Sequence, residues 1–281
     1  MAATESTDFV FEPKVWKDHI SAYFRDKLVF GAIAMSDDTL TAQPGETINF
    51  PFFTKIGPAE EPAETASLLV DNLADDSFQA TVKEVGKAVG MKKKAFKVSA
   101  ARTDRIIEEI TKQLGRVISE NVDDTLLAEM STVGNFTAPT LTVAGANVRS
   151  LNQGKVLGFG DLHTEAMALQ IHSLDLLSVV NDTTTGLLNA DATDPMIGAA
   201  GFRGRLLGMA VFETDKVPQG TSYIHKADPY GYILKQDMEL DVDYDILARE
   251  WVWAADQWYA AKSFHAKISA DDRKTLQLVY V

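Results

Sequence analysis

The chain has 281 residues, 46% of them hydrophobic, a formal charge of −13 and no cysteine. That apolar content suffices for a full core in one or two domains, and the lack of thiols excludes disulfides, thiolate nucleophiles and cysteine–zinc sites. So acidic a surface repels nucleic acid unless basic residues cluster; the densest cluster, Met91 to Lys97, holds four lysines in seven residues, too few to outweigh the rest.

The N-terminal run MAATESTDFVFEPKVW has no basic region followed by an apolar core, so no secretory signal is expected, and no stretch reaches the ~18–20 apolar residues of a membrane span. Behind Pro13, Trp16, Ile20, Phe24 and Leu28 recur every four residues. This spacing predicts a helix within Phe9 to Phe30, either docked on its own domain or an arm docked on a neighbouring subunit. Pro44-Gly45 marks a turn, Thr47 to Phe50 reads as a strand, and Pro51 marks an edge or a break. Residues 58–78 are acidic, carry Pro58 and Pro62, and read as a tip. Phe78 to Val85 then alternates apolar and polar, Gly86 and Gly90 interrupt the run, and Ala95 to Val98 reads as a further extended piece. Two extended limbs about a polar tip form a hairpin-like excursion. Such a ribbon is marginal alone in water and needs support, from its own body or from a neighbour.

The strongest helix pattern is Ser99 to Thr132, where Ile106, Ile107, Ile110, Leu114, Val117, Ile118, Val122, Leu126, Leu127 and Met130 trace one apolar stripe. About 28 residues at 1.5 Å rise span about 42 Å, well beyond an average globular helix. Gly115 is a weak point within it, a candidate packing contact. From residue 133 to 160, glycines punctuate short apolar pieces, which predicts alternating loop and strand. Asp161 to Asp182 has helical periodicity, as one helix or two short ones. Residues 182–204 are turn-rich, and GRLLGMAVFETDKVP reads as strand, polar edge and turn at Pro218. Several strands follow. Trp251, Trp253, Trp258 and Tyr259 point to a buried sheet layer or a subunit contact, and TLQLVYV closes the chain as a strand. The whole is mixed α+β without a βαβ repeat or internal duplication.

Catalytic and cofactor signatures are lacking: no GxSxG, HExxH, P-loop or GxGxxG occurs. His163 and His172 stand nine apart, not the four of a helical metal pair, and the HTE at His163 to Glu165 offers a base and a carboxylate without a nucleophile. His163 and His172 read as satisfied polar groups near a helix surface; the remaining histidines are His19, His225 and His265. Asp237, Glu239, Asp241, Asp243 and Asp245 alternate with apolar residues, so a strand spreads them over about 27 Å at ~3.4 Å per residue. That is a solvated strand face rather than a calcium loop, and like charges there would welcome a basic partner such as the Met91–Lys97 lysines of another subunit. No catalytic, cofactor-binding or metal residue is assigned, no cofactor is expected, and the chain reads as a non-enzyme.

The order of elements resembles that of the major capsid proteins of tailed bacteriophages, the HK97-like fold. GETINFPFFTKIGPAEE is similar to the family's entry into its extended loop. QATVKEVGKAVGMKKKAFKVS resembles the returning strand and the lead-in to the spine helix. LGRVISENVDDTLLAEM resembles the spine helix, and IGAAGFRGRLLGMAVFETDKVPQG a glycine-spaced segment of the axial domain. The resemblance covers the chain from about Thr39 to its end. It implies an α+β HK97-like capsid fold with an N-terminal arm at 1–38, an extended loop at 39–98, a peripheral domain with the spine helix at 99–135, an axial domain at 136–224, and a return to the peripheral domain with C-terminal strands at 225–281. It further implies a subunit that self-assembles, as pentamers and hexamers, into an icosahedral shell around double-stranded DNA. A separate scaffolding protein, a portal at one vertex and a decoration protein are implied partners, with no membrane involved. The implied location is the virion, assembled in the host cytoplasm. Encapsulins share the fold and give an alternative reading, a cellular cargo shell. A soluble α+β enzyme of unidentified class is a second alternative, and would need a cleft with perturbed acids or bases that the sequence does not locate.

Overall fold

Alternating burial organises the longest strands, and one apolar stripe organises the longest helix. The computed structural model describes residues 28–37, 45–53, 56, 59, 70–73, 75–98, 103–131, 141, 145–160, 165–181, 201–264 and 274–280. The helix expected within Phe9 to Phe30, save its last three residues, lies outside that set. So do most of the acidic tip and most of the turn-rich stretch after Asp182.

In chain order the elements are β1 (Met35–Asp37), β2 (Thr47–Phe53), β3 (Asp75–Thr81), β4 (Lys83–Lys92), α1 (Lys93–Val98), α2 (Thr103–Ser131), α3 (Val148–Phe159), β5 (Met167–Ile171), α4 (Ser173–Asn181), β6 (Phe202–Leu206), β7 (Met209–Glu213), β8 (Thr221–His225), β9 (Tyr230–Asp245), β10 (Glu250–Ser263) and β11 (Thr275–Val279). They form a four-stranded sheet in the order β1-β9-β10-β4, a five-stranded sheet in the order β11-β8-β5-β7-β6, and a two-stranded ribbon, β2-β3.

Helix α2 has 29 residues and lies across the four-stranded sheet. Ile107, Ile110, Leu114, Ile118, Val122, Leu126 and Met130 are all buried, at the i, i+3, i+4 spacing of one helix face. Each contributes about 1.5–3 kcal/mol by leaving water. They meet Trp253, Ala255 and Tyr259, alternate residues of β10 that point to one face by strand geometry. Val117, in the sequence stripe, is 44% exposed and belongs to the outer face. Trp253 and Tyr259 form the buried layer, whereas Trp258 faces the other way, with the Lys235 ammonium 5.8 Å from its ring centre.

The second sheet carries α3 and α4 on one face, where Val148, Leu151, Leu176 and Val179 pack on Leu169, Val211, Ile224 and Leu278. Helix α3 corrects the expectation of alternating loop and strand in 133–160. Asn147 caps it: its Oδ1 accepts the Ser150 N–H at 2.8 Å, and Ser150 Oγ accepts the Asn147 N–H at 3.1 Å. Its glycines read as loop because they carry no side chain, yet that is their use here. A Cβ on Gly154 would lie 2.4 Å from Leu278, and one on Gly158 would lie 2.2 Å from Leu276. The helical reading of Asp161 to Asp182 is half corrected, since Met167–Ile171 is a strand buried along its whole length and only Ser173–Asn181 is helix. Buried strands lose the alternation that would reveal them. The segment GRLLGMAVFE folds as a β6–β7 hairpin on a two-residue turn, Leu207 and Gly208, both at positive φ (52° and 77°).

Two further expectations change. Residues 95–98 are helical in α1, not extended. Strand β4 runs straight through Gly86 and Gly90, which were expected to interrupt it, and pairs with β10 from Lys83↔Tyr259 to Lys92↔Glu250. The closing strand, expected from TLQLVYV, is β11, which pairs with β8 of the five-stranded sheet.

Candidate assembly surfaces

The ribbon β2–β3 is anchored at its base and bare at its far end. Ile48, Phe50, Ala80 and Val82 pack on Ile233 and Ala260 of the four-stranded sheet. Phe50 and Phe78 close on Phe264, with ring centres 5.2 and 5.6 Å apart. Pro51 sits inside β2, opposite Ser77, rather than ending it. A two-stranded ribbon has a free edge on each strand, so a missing N–H is tolerated there. Beyond the stacked Phe52–Phe78 pair, the described apolar side chains are exposed: Phe53 is 70% exposed, Val70 87% and Leu73 63%. Four large apolar side chains, Ile56 included, therefore stand in water near the tip, more than a free monomer would gain from displaying.

A second projection is the β9–β10 hairpin. Asp245 Oδ1 accepts the N–H groups of Leu247 and Ala248 at 2.8 and 2.9 Å, and Arg249 takes φ 53° to close the turn. Ile246 and Leu247 are displayed at the tip, the latter 95% exposed. The acidic run behaves as its period predicts: Met238 and Leu240 are buried, while Asp241, Asp243 and Asp245 are exposed. Among the described residues no cluster of His, Asp and Glu could hold a metal ion. Two of the Met91–Lys97 lysines meet this hairpin within the same chain. Lys92 Nζ is 2.8 Å from Glu250 Oε2 and donates to the Ala248 carbonyl, and Lys93 lies 5.3 Å from the Tyr244 ring centre. The cause is the β4–β10 pairing, which carries Lys92 to the hairpin end.

The two described histidines, His172 and His225, share no site. His163, with His19 and His265, lies outside the described residues. Glu165 pairs with Lys226 at 3.1 Å. His172 Nδ1 accepts the Leu174 N–H at 3.1 Å and caps α4. His225 is fully buried; its Nδ1 is 2.8 Å from Thr275 Oγ1 and its Nε2 3.0 Å from Gln170 Oε1, so it ties β8 to both neighbouring strands.

One polar arrangement was not foreseen. Asp123, on the buried face of α2, accepts the backbone N–H groups of Val29 and Phe30 at 3.3 and 3.2 Å. Burial pushes its carboxyl from 3.8 up to about 6, against the opposing pull of those N–H groups and of Lys216. Lys216 itself donates to Asp124 Oδ1 and to the Glu120 carbonyl, at 2.7 and 2.6 Å. A cleft of about 430 Å³, lined by Val29, Lys112, Arg116, Glu120, Asp123, Thr214 and Lys216, lies alongside. The only sequence signal was a charged residue directly after Val122 in the stripe, next to a second aspartate.

A long helix across a sheet, a second sheet with its own helices, and a ribbon standing off the body make up the HK97-like capsid fold. The capsid asymmetric unit of Cyanophage Pam1 is similar with a TM-score of 0.66 at 13% identity, over 99% of this chain and 96% of that one. The capsid of Ralstonia phage GP4 is similar with a TM-score of 0.66 at 9% identity, over 100% of this chain and 95% of that one. In sequence the chain is 28% identical over 251 residues to the major capsid protein of Staphylococcus phage phiMR11, covering 89% of this chain and 88% of that protein. No protein-family model matches the chain. The chain is thus similar in fold to phage capsid proteins and similar in sequence to a phage major capsid protein.

Proposed function

We propose that the chain is the major capsid subunit of a tailed phage, copies of which close into an icosahedral shell around double-stranded DNA. The observation that carries this reading is the sequence relationship over 251 residues to a phage major capsid protein. Its work is assembly rather than chemistry. The subunit must present contact surfaces whose symmetry closes, and each contact can be modest because many repeat around a shell. The β2–β3 ribbon with its apolar tip is the extended loop and lies on a neighbouring subunit. Residues 1–38 are the N-terminal arm, α2 with the four-stranded sheet is the peripheral domain, and the five-stranded sheet with α3 and α4 is the axial domain, gathered into pentamers and hexamers. A separate scaffolding protein guides closure in the host cytoplasm, a portal occupies one vertex, and a decoration protein is a further partner. The net charge of −13 suits a lining that does not trap DNA.

Purified full-length chain, alone and with a scaffolding partner, is expected to give closed particles tens of nanometres across by negative-stain imaging and sedimentation. A strictly monomeric species across protein concentration, salt and scaffold would overturn the reading. Particles filled with a protein cargo would transfer it to a cellular shell. DNA retained tightly by empty shells, and released by salt, would contradict the repelling lining.

A further inference from the structure

We propose that Asp123 and Tyr230 clamp the Val29–Phe30 backbone from two sides, and that protonation of Asp123 tightens this clamp. Acid then seats the point where the N-terminal residues join the body, and neutral to alkaline solution loosens it.

The geometry is specific to one stretch of backbone. From below, the Asp123 carboxylate, 2% exposed, takes the N–H groups of both residues, 94 and 93 positions away in sequence. From the other side, the Tyr230 hydroxyl donates to the Phe30 carbonyl at 2.6 Å. Phe30 and Tyr230 are fully buried. Segment 28–34 is thereby fixed to α2 and β9 at once, and no other polar side chain among the described residues is shown bonding the backbone at Val29 or Phe30.

The direction of the proton effect follows from burial. Seated, the Asp123 carboxyl titrates at about 6; in water it would titrate near 3.8. The seated state therefore holds the proton more tightly than any state in which the peptide lifts and water enters from the adjoining cleft. Stabilisation from this group is fully present below the lower value and is lost as pH rises through about 6. The ionised form remains seated because two N–H groups and Lys216 face it, but the buried charge makes lifting easier. The titratable and charged groups around Asp123 are Lys112, Arg116, Glu120 and Asp124 from α2, Lys216 from the loop after β7, and Tyr230 and Tyr232 from β9. Arg116 and Glu120 pair with each other at 2.7 Å, and Lys216 is held by Asp124. Burial pushes both tyrosines up, so they remain neutral hydroxyls across the window. Segment 28–34, LVFGAIA, brings no titratable side chain.

Amide hydrogen exchange on the full chain, as free subunit or as particle, tests this. The readout is the protection of peptides covering 28–34, corrected for intrinsic exchange and referenced to peptides from the middle of α2. Protection is expected to fall about tenfold from pH 5 to pH 8 in the wild type, the ratio that a carboxyl titrating at 3.8 when open and about 6 when seated produces. Asp123→Asn should flatten the profile, while Asp124→Asn should keep it. Tyr230→Phe should lower protection by a similar factor at every pH, leaving the slope. A flat wild-type profile would overturn the proposal, and so would a slope that survives in Asp123→Asn. If Asp123→Asn does not fold, a slope lost in Asp124→Asn assigns the proton to the wrong residue and equally overturns it.

Discussion

Gly154 and Gly158 sit one turn apart on α3, and each leaves room for a leucine of β11. Leu278 and Leu276 are 0% and 1% exposed, so neither can swing away from an added methyl group. Gly154→Ala should therefore lower stability by about 1–3 kcal/mol despite alanine's better helix propensity, a sign opposite to that at an exposed helical glycine. A melting temperature unchanged or raised would mean that α3 does not pack as described. At the other extreme is Leu114, 1% exposed at the centre of α2. Leu114→Asp places an unpaired charge in the main core and should leave no soluble folded chain, read by dichroism and gel filtration. The stripe around Leu114 was legible because each of its members is large and repeats with the helix. Gly154, Gly158 and Asp123 were not, because a glycine's packing partner and a carboxylate's backbone donors come from distant parts of the chain.

At the scale of elements, periodicity carried what the sequence revealed. The second half of β9 alternates and its acidic face was legible, whereas the ribbon limbs were found with shifted ends: β2 runs on to Phe53, and β3 spans Asp75–Thr81 rather than Phe78 to Val85. Strand β5 is dry on both faces and sits beside a helix, so its five residues merged into a helical pattern. The length of β4 was hidden because Gly86 and Gly90 look like breaks. At Gly86 a side chain would come within 3.3 Å of the Ala255 carbonyl and of the Asp256 side chain, so glycine marks a close strand approach there, not an interruption. The pairing of β4 with β10 also sets what the lysines do. The Lys92–Glu250 pair has its lysine 63% exposed, and such pairs contribute about 0–1 kcal/mol. Lys92→Glu should thus shift the thermal midpoint only slightly, and more at low salt than at high salt. A loss of several kcal/mol would mean that the lysine holds the hairpin end in place, beyond its exposed ion pair.

On the scale of the whole molecule, the proposed shell contacts fall on parts that the subunit's own fold should be able to lose. In sequence, residues 60–73 fall between Phe53 and β3, and Ile246 and Leu247 stand exposed at the tip of the β9–β10 hairpin. Replacing 60–73 by a short glycine linker leaves β2 and β3 paired through all seven residues. Loop closure changes by only about 0.6 kcal/mol per doubling of length. The far-ultraviolet dichroism and cooperative melt of the free subunit should survive. Ile246→Asp with Leu247→Asp should also leave the melt within about 0.5 kcal/mol of the parent, since both side chains already stand in water. If the two tips rest on neighbouring copies, each variant should still fold but form few, fragile or irregular particles. The loss should be greater than additive when the two are combined, because repeated weak contacts act together. A variant that unfolds would show that its tip belongs to the subunit's own core. A variant that assembles with unchanged yield and particle stability would show that its tip is a free insertion, and the shell contacts would then have to lie on the sheets and helices of the body.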